Sequence, residues 1–329
     1  MIKEHTIIIG AGPCGLAAGI SLQRIGIKPL IIEKRNIVHS ISQYPTYMTF
    51  FSTAERLEIG DIPFTTANDK PTRLEALNYY RTAAQRHQLR IQPFTTVTGI
   101  VKSQNGFIVN AVNQYNEATQ YEAKYVIVST GYFDHPNMLG IPGEELPKVS
   151  HFFREAHPYT GLDVAIIGGS NSSIDAALEL ERIGARVTIV YRGEQYSPSI
   201  KPWVRPIIES KVNNGLINML FSSRVQRINN RSIEVATPEG KLELANDFVL
   251  ALTGFHPDHQ FLTAAGVTFE PAGHPTYNEE TMESNVAGIY LAGVVVSRKE
   301  DANEIFIESG RFHGDKIAAH LRSLGEGSA

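Results

Sequence analysis

The fold is decided near the N-terminus, where residues 6–15 read TIIIGAGPCG. The three isoleucines predict a buried β-strand, and Gly10, Gly12 and Gly15 follow it in Gly-x-Gly-x-x-Gly spacing. In such a turn the first glycine permits a sharp bend, the second lets the backbone approach a pyrophosphate, and the third lets the next helix pack closely. With a helical segment to about Ile25, the stretch predicts the opening of a Rossmann-like dinucleotide-binding unit.

An acidic residue at the right distance strengthens this interpretation. The strand predicted after the helix ends in Glu33, 18 residues beyond Gly15. A carboxylate at this point binds the ribose hydroxyls of a dinucleotide. A glycine turn that serves only backbone packing is the alternative, but the strand, turn, helix and acid together favour a nucleotide site.

A second copy of the pattern lies at residues 164–173, which read VAIIGGSNSS. Ser170 and Ser173 replace the second and third glycines, and small hydroxyl side chains can still approach a phosphate. Arg192 lies 19 residues beyond Ser173, where the first unit has its acid. Because a cation there suits the 2′-phosphate of NADPH, this unit is predicted to bind NADPH rather than NADH. Lys201 either adds positive charge or is a solvated surface lysine.

Length and composition narrow the class of protein. The 329 residues favour two domains, and 42% hydrophobic residues, 19% charged residues and 27 glycines are typical of a globular enzyme. A net charge of -4 without a block of like charges predicts neither a nucleic-acid nor a membrane partner. The single cysteine excludes an intramolecular disulfide, and no signal peptide or transmembrane run is recognised, so we expect a cytoplasmic protein.

The chain between and beyond the two units completes an α/β architecture. Strand-like runs alternate with helical segments, which predicts largely parallel sheets. A helix is expected around residues 74–84, followed by a β-meander over Thr95–Val128 that turns near Gly106. The histidines show no spacing typical of a metal site, so no metal is expected.

Further motifs resemble the two-dinucleotide flavoproteins, and among them the thioredoxin-reductase-like group, over almost the whole chain. Residues 126–131 (VIVSTG) and 249–254 (VLALTG) resemble the segments that close each nucleotide domain, and residues 288–293 (GIYLAG) resemble the strand that returns to the flavin. The resemblance implies FAD in a discontinuous domain of residues 1–137 and 257–329. The NADPH domain, residues 138–256, is inserted into it.

The sequence departs from that group at two points. It contains no Cys-x-x-Cys, so the redox dithiol of thioredoxin reductase itself has no counterpart. Val294 stands where the group usually has an aspartate after Gly293 that binds the flavin ribityl chain. That contact must be missing or supplied from elsewhere in the chain.

A narrower resemblance is to the bacillithiol disulfide reductases. It is based on the Gly-x-Gly-Pro-Cys-Gly opening, on residues 43–45, 48–52 and 130–134, and on the Gly293-Val294 pair. The resemblance implies an NADPH-oxidising FAD enzyme that reduces bacillithiol disulfide, keeps the bacillithiol pool reduced and forms a dimer or tetramer. For FAD the expected contacts are Gly10, Gly12, Pro13, Cys14, Gly15, Glu33, Lys34, Gln43, Met48, Val97, Thr130, Gly131 and Gly293. For NADPH they are Gly168, Gly169, Ser170, Asn171, Ser172, Arg192 and Lys201.

Cys14 is the candidate catalytic residue, and two interpretations of it stay open. It lies in the first turn of the first helix, where the helix dipole favours a thiolate nucleophile. The negative pyrophosphate beside it would raise the thiol pKa, and Cys14 then only fills the contact between helix and flavin. His313, in the segment ESGRFHG, is similarly either a proton donor near the flavin or a capping and packing residue.

Two other functions remain as alternatives. One is an NADPH-ferredoxin or flavodoxin reductase of the thioredoxin-reductase-like type, which also lacks the dithiol. The other is a non-enzymatic redox-sensing protein that changes partners with NADPH occupancy. Turnover with a panel of electron acceptors distinguishes all three.

Overall fold

In a computed structural model, residues 1–297 and 305–327 are described, and they divide into two compact units. The first unit comprises Met1–His135 together with the described residues from Phe255 onward, and the second comprises Pro136–Gly254. The dividing positions lie two residues before the boundaries expected from the sequence.

The strands and helices of the described residues are numbered here in the order of the sequence. The strands are Ile2–Ile9 (β1), Leu30–Ile32 (β2), Arg90–Gln92 (β3), Thr95–Ser103 (β4), Gly106–Asn113 (β5), Ala118–Val128 (β6), Val149–Ser150 (β7), Asp163–Ile167 (β8), Arg186–Val190 (β9), Ile217–Leu220 (β10), Arg224–Ile228 (β11), Ser232–Thr237 (β12), Gly240–Ala245 (β13), Phe248–Ala251 (β14) and Ile289–Leu291 (β15). The helices are Pro13–Arg24 (α1), His39–Gln43 (α2), Arg73–Arg86 (α3), Asn171–Arg182 (α4), Arg205–Asn213 (α5), His259–Ala264 (α6), Ile307–Gly310 (α7) and His313–Ser323 (α8).

The first unit is built on one sheet in the order β3-β2-β1-β6-β5-β4, with β15 also paired to β6. β1, β2, β3, β6 and β15 pair in parallel, and β4, β5 and β6 form the antiparallel meander expected from the sequence. Ile7, Ile8 and Val126 are completely buried in the centre of this sheet. Their continuous apolar runs fit strands that are covered on both faces.

The second unit repeats the parallel design on a smaller scale. Its five strands have the order β10-β9-β8-β14-β7 and are all parallel, and a separate antiparallel sheet contains β11, β12 and β13. β8, α4 and β9 form the βαβ unit predicted from residues 164–192. The helix of this unit ends at Arg182, with Ile183 at its C-cap.

Local sequence signals explain where two of the main helices begin. Pro13 occupies the first turn of α1, where its missing N–H is not needed. Thr72 and Glu75 form a reciprocal capping box at the start of α3, which the apolar periodicity placed around residues 74–84.

No helix in residues 1–297 and 305–327 combines the length and the apolar character needed to cross a membrane.

α8 packs directly against α1 because a glycine lies where the two helices cross. A methyl group at Gly314 would lie 2.4 Å from the Cα atom of Ala18. Backbone on both sides prevents an easy adjustment, so the crossing requires glycine on α8. This contact joins the C-terminal helix of the first unit to the helix that follows its glycine turn.

We therefore expect Gly314→Ala to destabilise the protein by about 1–3 kcal/mol, the usual cost of overpacking. The measurement is the urea-unfolding midpoint. Gly99→Ala is the matched control, because a methyl group at Gly99 meets nothing within 4 Å. It should shift stability by less than about 0.5 kcal/mol. Equal midpoints for Gly314→Ala and the wild type would contradict the close crossing.

Candidate dinucleotide-binding sites

The glycine turn of the first unit brings three backbone segments together at the carboxyl end of the sheet. Gly10 has φ +107°, and a methyl group there would lie 2.4 Å from the carbonyl oxygen of Ser129. A methyl group at Gly15 would lie 2.1 Å from the carbonyl oxygen of Gly10. Gly12 has open space on its side-chain face, and α1 has no side-chain cap within the described chain. Free N–H groups therefore face a space that suits a pyrophosphate.

Glu33 lies at the rim of this turn and is held by the backbone. One carboxylate oxygen accepts a hydrogen bond from Ala11 N–H at 2.8 Å, and the other accepts one from Arg35 N–H at 2.8 Å. Burial raises the pKa of this carboxyl above its ordinary value, and the two backbone hydrogen bonds oppose that rise. The side chain is thus oriented before any ribose arrives, and each oxygen retains a lone pair for a hydroxyl group.

The remaining residues expected to contact FAD lie on the segments around this turn. Lys34 forms an ion pair with Asp134 at 2.7 Å, which connects it to the turn after β6. Thr130 is exposed on that turn, and Gly131 has φ +71°. Further expected contacts are Gln43 at the end of α2, Met48 with its carbonyl bonded to Arg73 N–H at 2.8 Å, and Val97 at a register shift in β4.

Cys14 packs against two glycines near the C-terminal end of the chain. A methyl group at Gly293 would lie 3.0 Å from Cys14 Sγ, and one at Gly310 would lie 2.8 Å from it. Burial, and secondarily the negative charge of Glu308, raises the pKa of the Cys14 thiol to about 12. In this environment, burial raises the thiol pKa more than the dipole of α1 lowers it. The thiol is protonated at neutral pH.

The contact between Glu308 and Ser52 in this region was not predicted from the sequence. Glu308, on α7, accepts a hydrogen bond from the hydroxyl group of Ser52. Its charge also raises the pKa of Tyr132, although burial is the larger cause there. In the segment ESGRFHG, the sequence pattern indicates only His313 as a candidate. No sequence spacing relates Glu308 to Ser52, because they are 256 residues apart.

The glycine turn of the second unit repeats the backbone geometry of the first. Gly168 has φ +142°, and a methyl group there would lie 2.4 Å from the carbonyl oxygen of Leu252, which follows β14. A methyl group at Gly169 would lie 2.3 Å from the ring of Tyr191. α4 has no side-chain cap among the residues described, so the N–H groups of its first turn suit a phosphate. Arg192 is exposed just after β9.

A loop after β9 folds onto this turn through hydroxyl and amide groups. Ser199 Oγ lies 2.8 Å from Ser170 Oγ and 2.8 Å from Ser197 Oγ. The Asn171 side chain donates to Ser199 O at 2.9 Å and accepts from Lys201 N–H at 3.0 Å. Both ends of the Asn171 amide therefore hold the loop. The Asn171 side chain thus positions the segment that carries Lys201, and the expected contact of Asn171 with NADPH stays a prediction.

The described residues contain no group of three metal-ligating side chains. The backbone of both glycine turns suits a phosphate. The first unit has an acid, Glu33, at the ribose position, and the second has a cation, Arg192, at the corresponding position. This donor set fits FAD and NADPH, respectively.

Residues 7–293 match the family described as pyridine nucleotide-disulphide oxidoreductase, and the chain belongs to this family. It is an oxidoreductase with FAD and NADPH as cofactors.

Individual relatives agree with the narrower resemblance. Bacilliredoxin reductase Bdr of Bacillus subtilis (strain 168) is 52% identical over 323 residues, which is 98% of each chain. A solved structure of bacillithiol disulfide reductase Bdr from Bacillus cereus is also 52% identical, has a TM-score of 0.96, and is matched over 98% of this chain and 99% of its own. Thioredoxin reductase of T. acidophilum shares the fold at 22% identity, with a TM-score of 0.76 over 99% of both chains. The expected family and the thioredoxin-reductase-like fold class are confirmed.

The two hydrogen bonds of the Asn171 amide predict that substituting this residue selectively weakens binding of the 2′-phosphate. Asn171→Ala should weaken binding of 2′,5′-ADP by about fivefold to tenfold, because loss of two hydrogen bonds releases Lys201 from its position. Binding of 5′-ADP should change by less than about twofold. Isothermal titration calorimetry measures both affinities.

A double-mutant cycle and a matched control complete this test. In a Lys201→Ala background, Asn171→Ala should add little, since the two changes act through one contact. Asn214→Ala removes another exposed amide of the second unit, which donates to Ser210 O at 2.9 Å, and should leave both affinities unchanged. Equal weakening of 2′,5′-ADP and 5′-ADP by Asn171→Ala would show that it acts on the whole turn.

Proposed function

We propose that the chain is a cytoplasmic, homo-oligomeric reductase that uses NADPH to reduce bacillithiol disulfide and so keeps the bacillithiol pool reduced. The observation that carries this proposal is the end-to-end similarity to the bacillithiol disulfide reductase of Bacillus cereus, with only small unmatched portions of either chain. The name of the Bacillus subtilis relative points to a bacilliredoxin as a second candidate acceptor.

In this proposal the glycine turn of the first unit binds the FAD pyrophosphate, and Glu33 binds the adenosine ribose. The turn of the second unit binds NADPH, with Arg192 and Lys201 at its 2′-phosphate. Bound FAD supplies two-electron transfer from NADPH to a disulfide. The sum is one NADPH, one proton and one disulfide converted to NADP⁺ and two thiols.

The single cysteine restricts how the electrons reach the substrate. No Cys-x-x-Cys exists in the chain, so a relay through a protein dithiol is excluded. We propose Cys14 as the catalytic residue. The Cys14 thiolate attacks one sulfur of the substrate and forms a mixed disulfide as the substrate S–S bond breaks, and the first thiolate leaves with the proton that Cys14 gave up. The two electrons and hydrogen of NADPH, with one proton from solvent, then cleave the mixed disulfide, which releases the second thiol and regenerates the Cys14 thiol. Attack requires the thiolate, and the environment of Cys14 favours the protonated form.

The test of the overall function is NADPH oxidation by the FAD-containing protein with different electron acceptors. We expect turnover with bacillithiol disulfide and little with glutathione disulfide, ferredoxin or oxygen. The panel also includes an oxidised bacilliredoxin. Preferential turnover with that protein would assign the second candidate, and selective turnover with ferredoxin would contradict both.

The pH dependence tests the role of Cys14. A thiol with a pKa of about 12 is deprotonated in a fraction of about 10⁻⁵ at pH 7, and this fraction rises about tenfold per pH unit. If thiolate attack limits turnover, kcat/KM for the disulfide should rise about tenfold per pH unit, and so about a hundredfold between pH 7 and pH 9. Cys14→Ser should abolish turnover, with rates expressed per bound FAD. A flat profile together with an active Cys14→Ser protein would show that the disulfide is reduced without Cys14.

A further inference from the structure

His313 is buried at a position that the function described so far does not use. It is the first residue of α8, and 7% of its surface is exposed. Its neighbour Gly314 forms the close crossing with Ala18 of α1. The imidazole therefore lies at the end of α8 that borders the first helix of the glycine turn.

One nitrogen of this imidazole has a partner, and that partner fixes the tautomer. Nδ1 accepts a hydrogen bond from Gly293 N–H at 3.1 Å. Burial, with a smaller contribution from Lys316, lowers the pKa of His313 to about 4, so the ring is neutral at physiological pH. A neutral ring that accepts at Nδ1 carries its proton on Nε2. His313 thus presents one N–H donor.

That donor has no hydrogen-bond partner in residues 1–297 and 305–327, and it is not one of the fully buried unpaired polar atoms of those residues, so Nε2–H reaches open space. With Nδ1 occupied, Nε2–H is the atom of this side chain that remains available to an acceptor outside the chain. Gly293, which holds the other side of the ring, is also in close contact with Cys14 in the first turn of α1. The ring that carries this open donor therefore holds the segment that contacts Cys14, in the first turn of the helix proposed to bind FAD.

We infer that His313 is a flavin-binding residue whose Nε2–H donates a hydrogen bond to an oxygen atom of FAD. The inference depends on the proposal that the first unit binds FAD. It gives α8 a direct role in holding the cofactor, beyond its packing against α1.

Two substitutions separate this role from support of Gly293. In His313→Asn the side-chain amide can still accept from Gly293 N–H, but it does not reach the position of Nε2. In His313→Gln the terminal amide reaches that position and can donate. FAD affinity of the apoprotein is measured by quenching of flavin fluorescence, and the flavin midpoint potential by spectroelectrochemistry.

We expect His313→Asn to weaken FAD binding about tenfold and to shift the midpoint potential, and His313→Gln to stay within about threefold of the wild type. His320→Asn makes the same change elsewhere on α8, where His320 Nδ1 pairs with the Tyr290 hydroxyl group at 3.0 Å, and should leave FAD affinity unchanged. Thermal unfolding of the apoproteins checks that each variant is folded.

Wild-type affinity and potential in His313→Asn would overturn the inference. So would equal loss in both variants accompanied by lower thermal stability, since that pattern indicates a structural role. A wild-type protein that binds no FAD would instead contradict the proposed function itself.

Discussion

At the glycine turn of the first unit, backbone atoms take the space that side chains occupy elsewhere. The carbonyl oxygen of Gly10 fills the position that a side chain at Gly15 would need, and the carbonyl oxygen of Ser129 does the same at Gly10. β1, β6 and α1 can therefore meet at one point only because two residues lack side chains. The open face at Gly12, the orientation of Glu33 and the location of Cys14 all depend on this approach.

The second unit meets the same constraint with different residues. Gly168 faces the carbonyl oxygen of Leu252 as Gly10 faces that of Ser129, so the backbone turn is common to both units. Beyond that glycine the two turns diverge. The second uses a chain of serine hydroxyl groups and the Asn171 amide to bring a separate loop onto its helix. Nucleotide preference can thus change through a loop while the strand and helix geometry stays constant.

Much of this architecture could be predicted from sequence because its signals are local. Strand, turn and helix follow one another within residues 6–25, and the glycines occur where the backbone requires them. The contacts between distant segments could not be predicted in this way. Ser52 with Glu308 and Gly293 with His313 depend on how separate elements pack. The pKa of Cys14 could not be predicted from the sequence for the same reason. The dipole of α1 is a local effect, whereas the desolvation that raises the pKa comes from segments around Gly293 and Gly310 that are distant in sequence.

The environment of Cys14 also bears on how the protein withstands oxidants. A protonated thiol reacts slowly with peroxides, because the thiolate is the reactive form on the path to sulfenic and sulfinic acids. With one cysteine in 329 residues, the chain cannot form an internal disulfide that would inactivate it. The same close packing that keeps the Cys14 thiol protonated therefore lowers its reactivity toward oxidants.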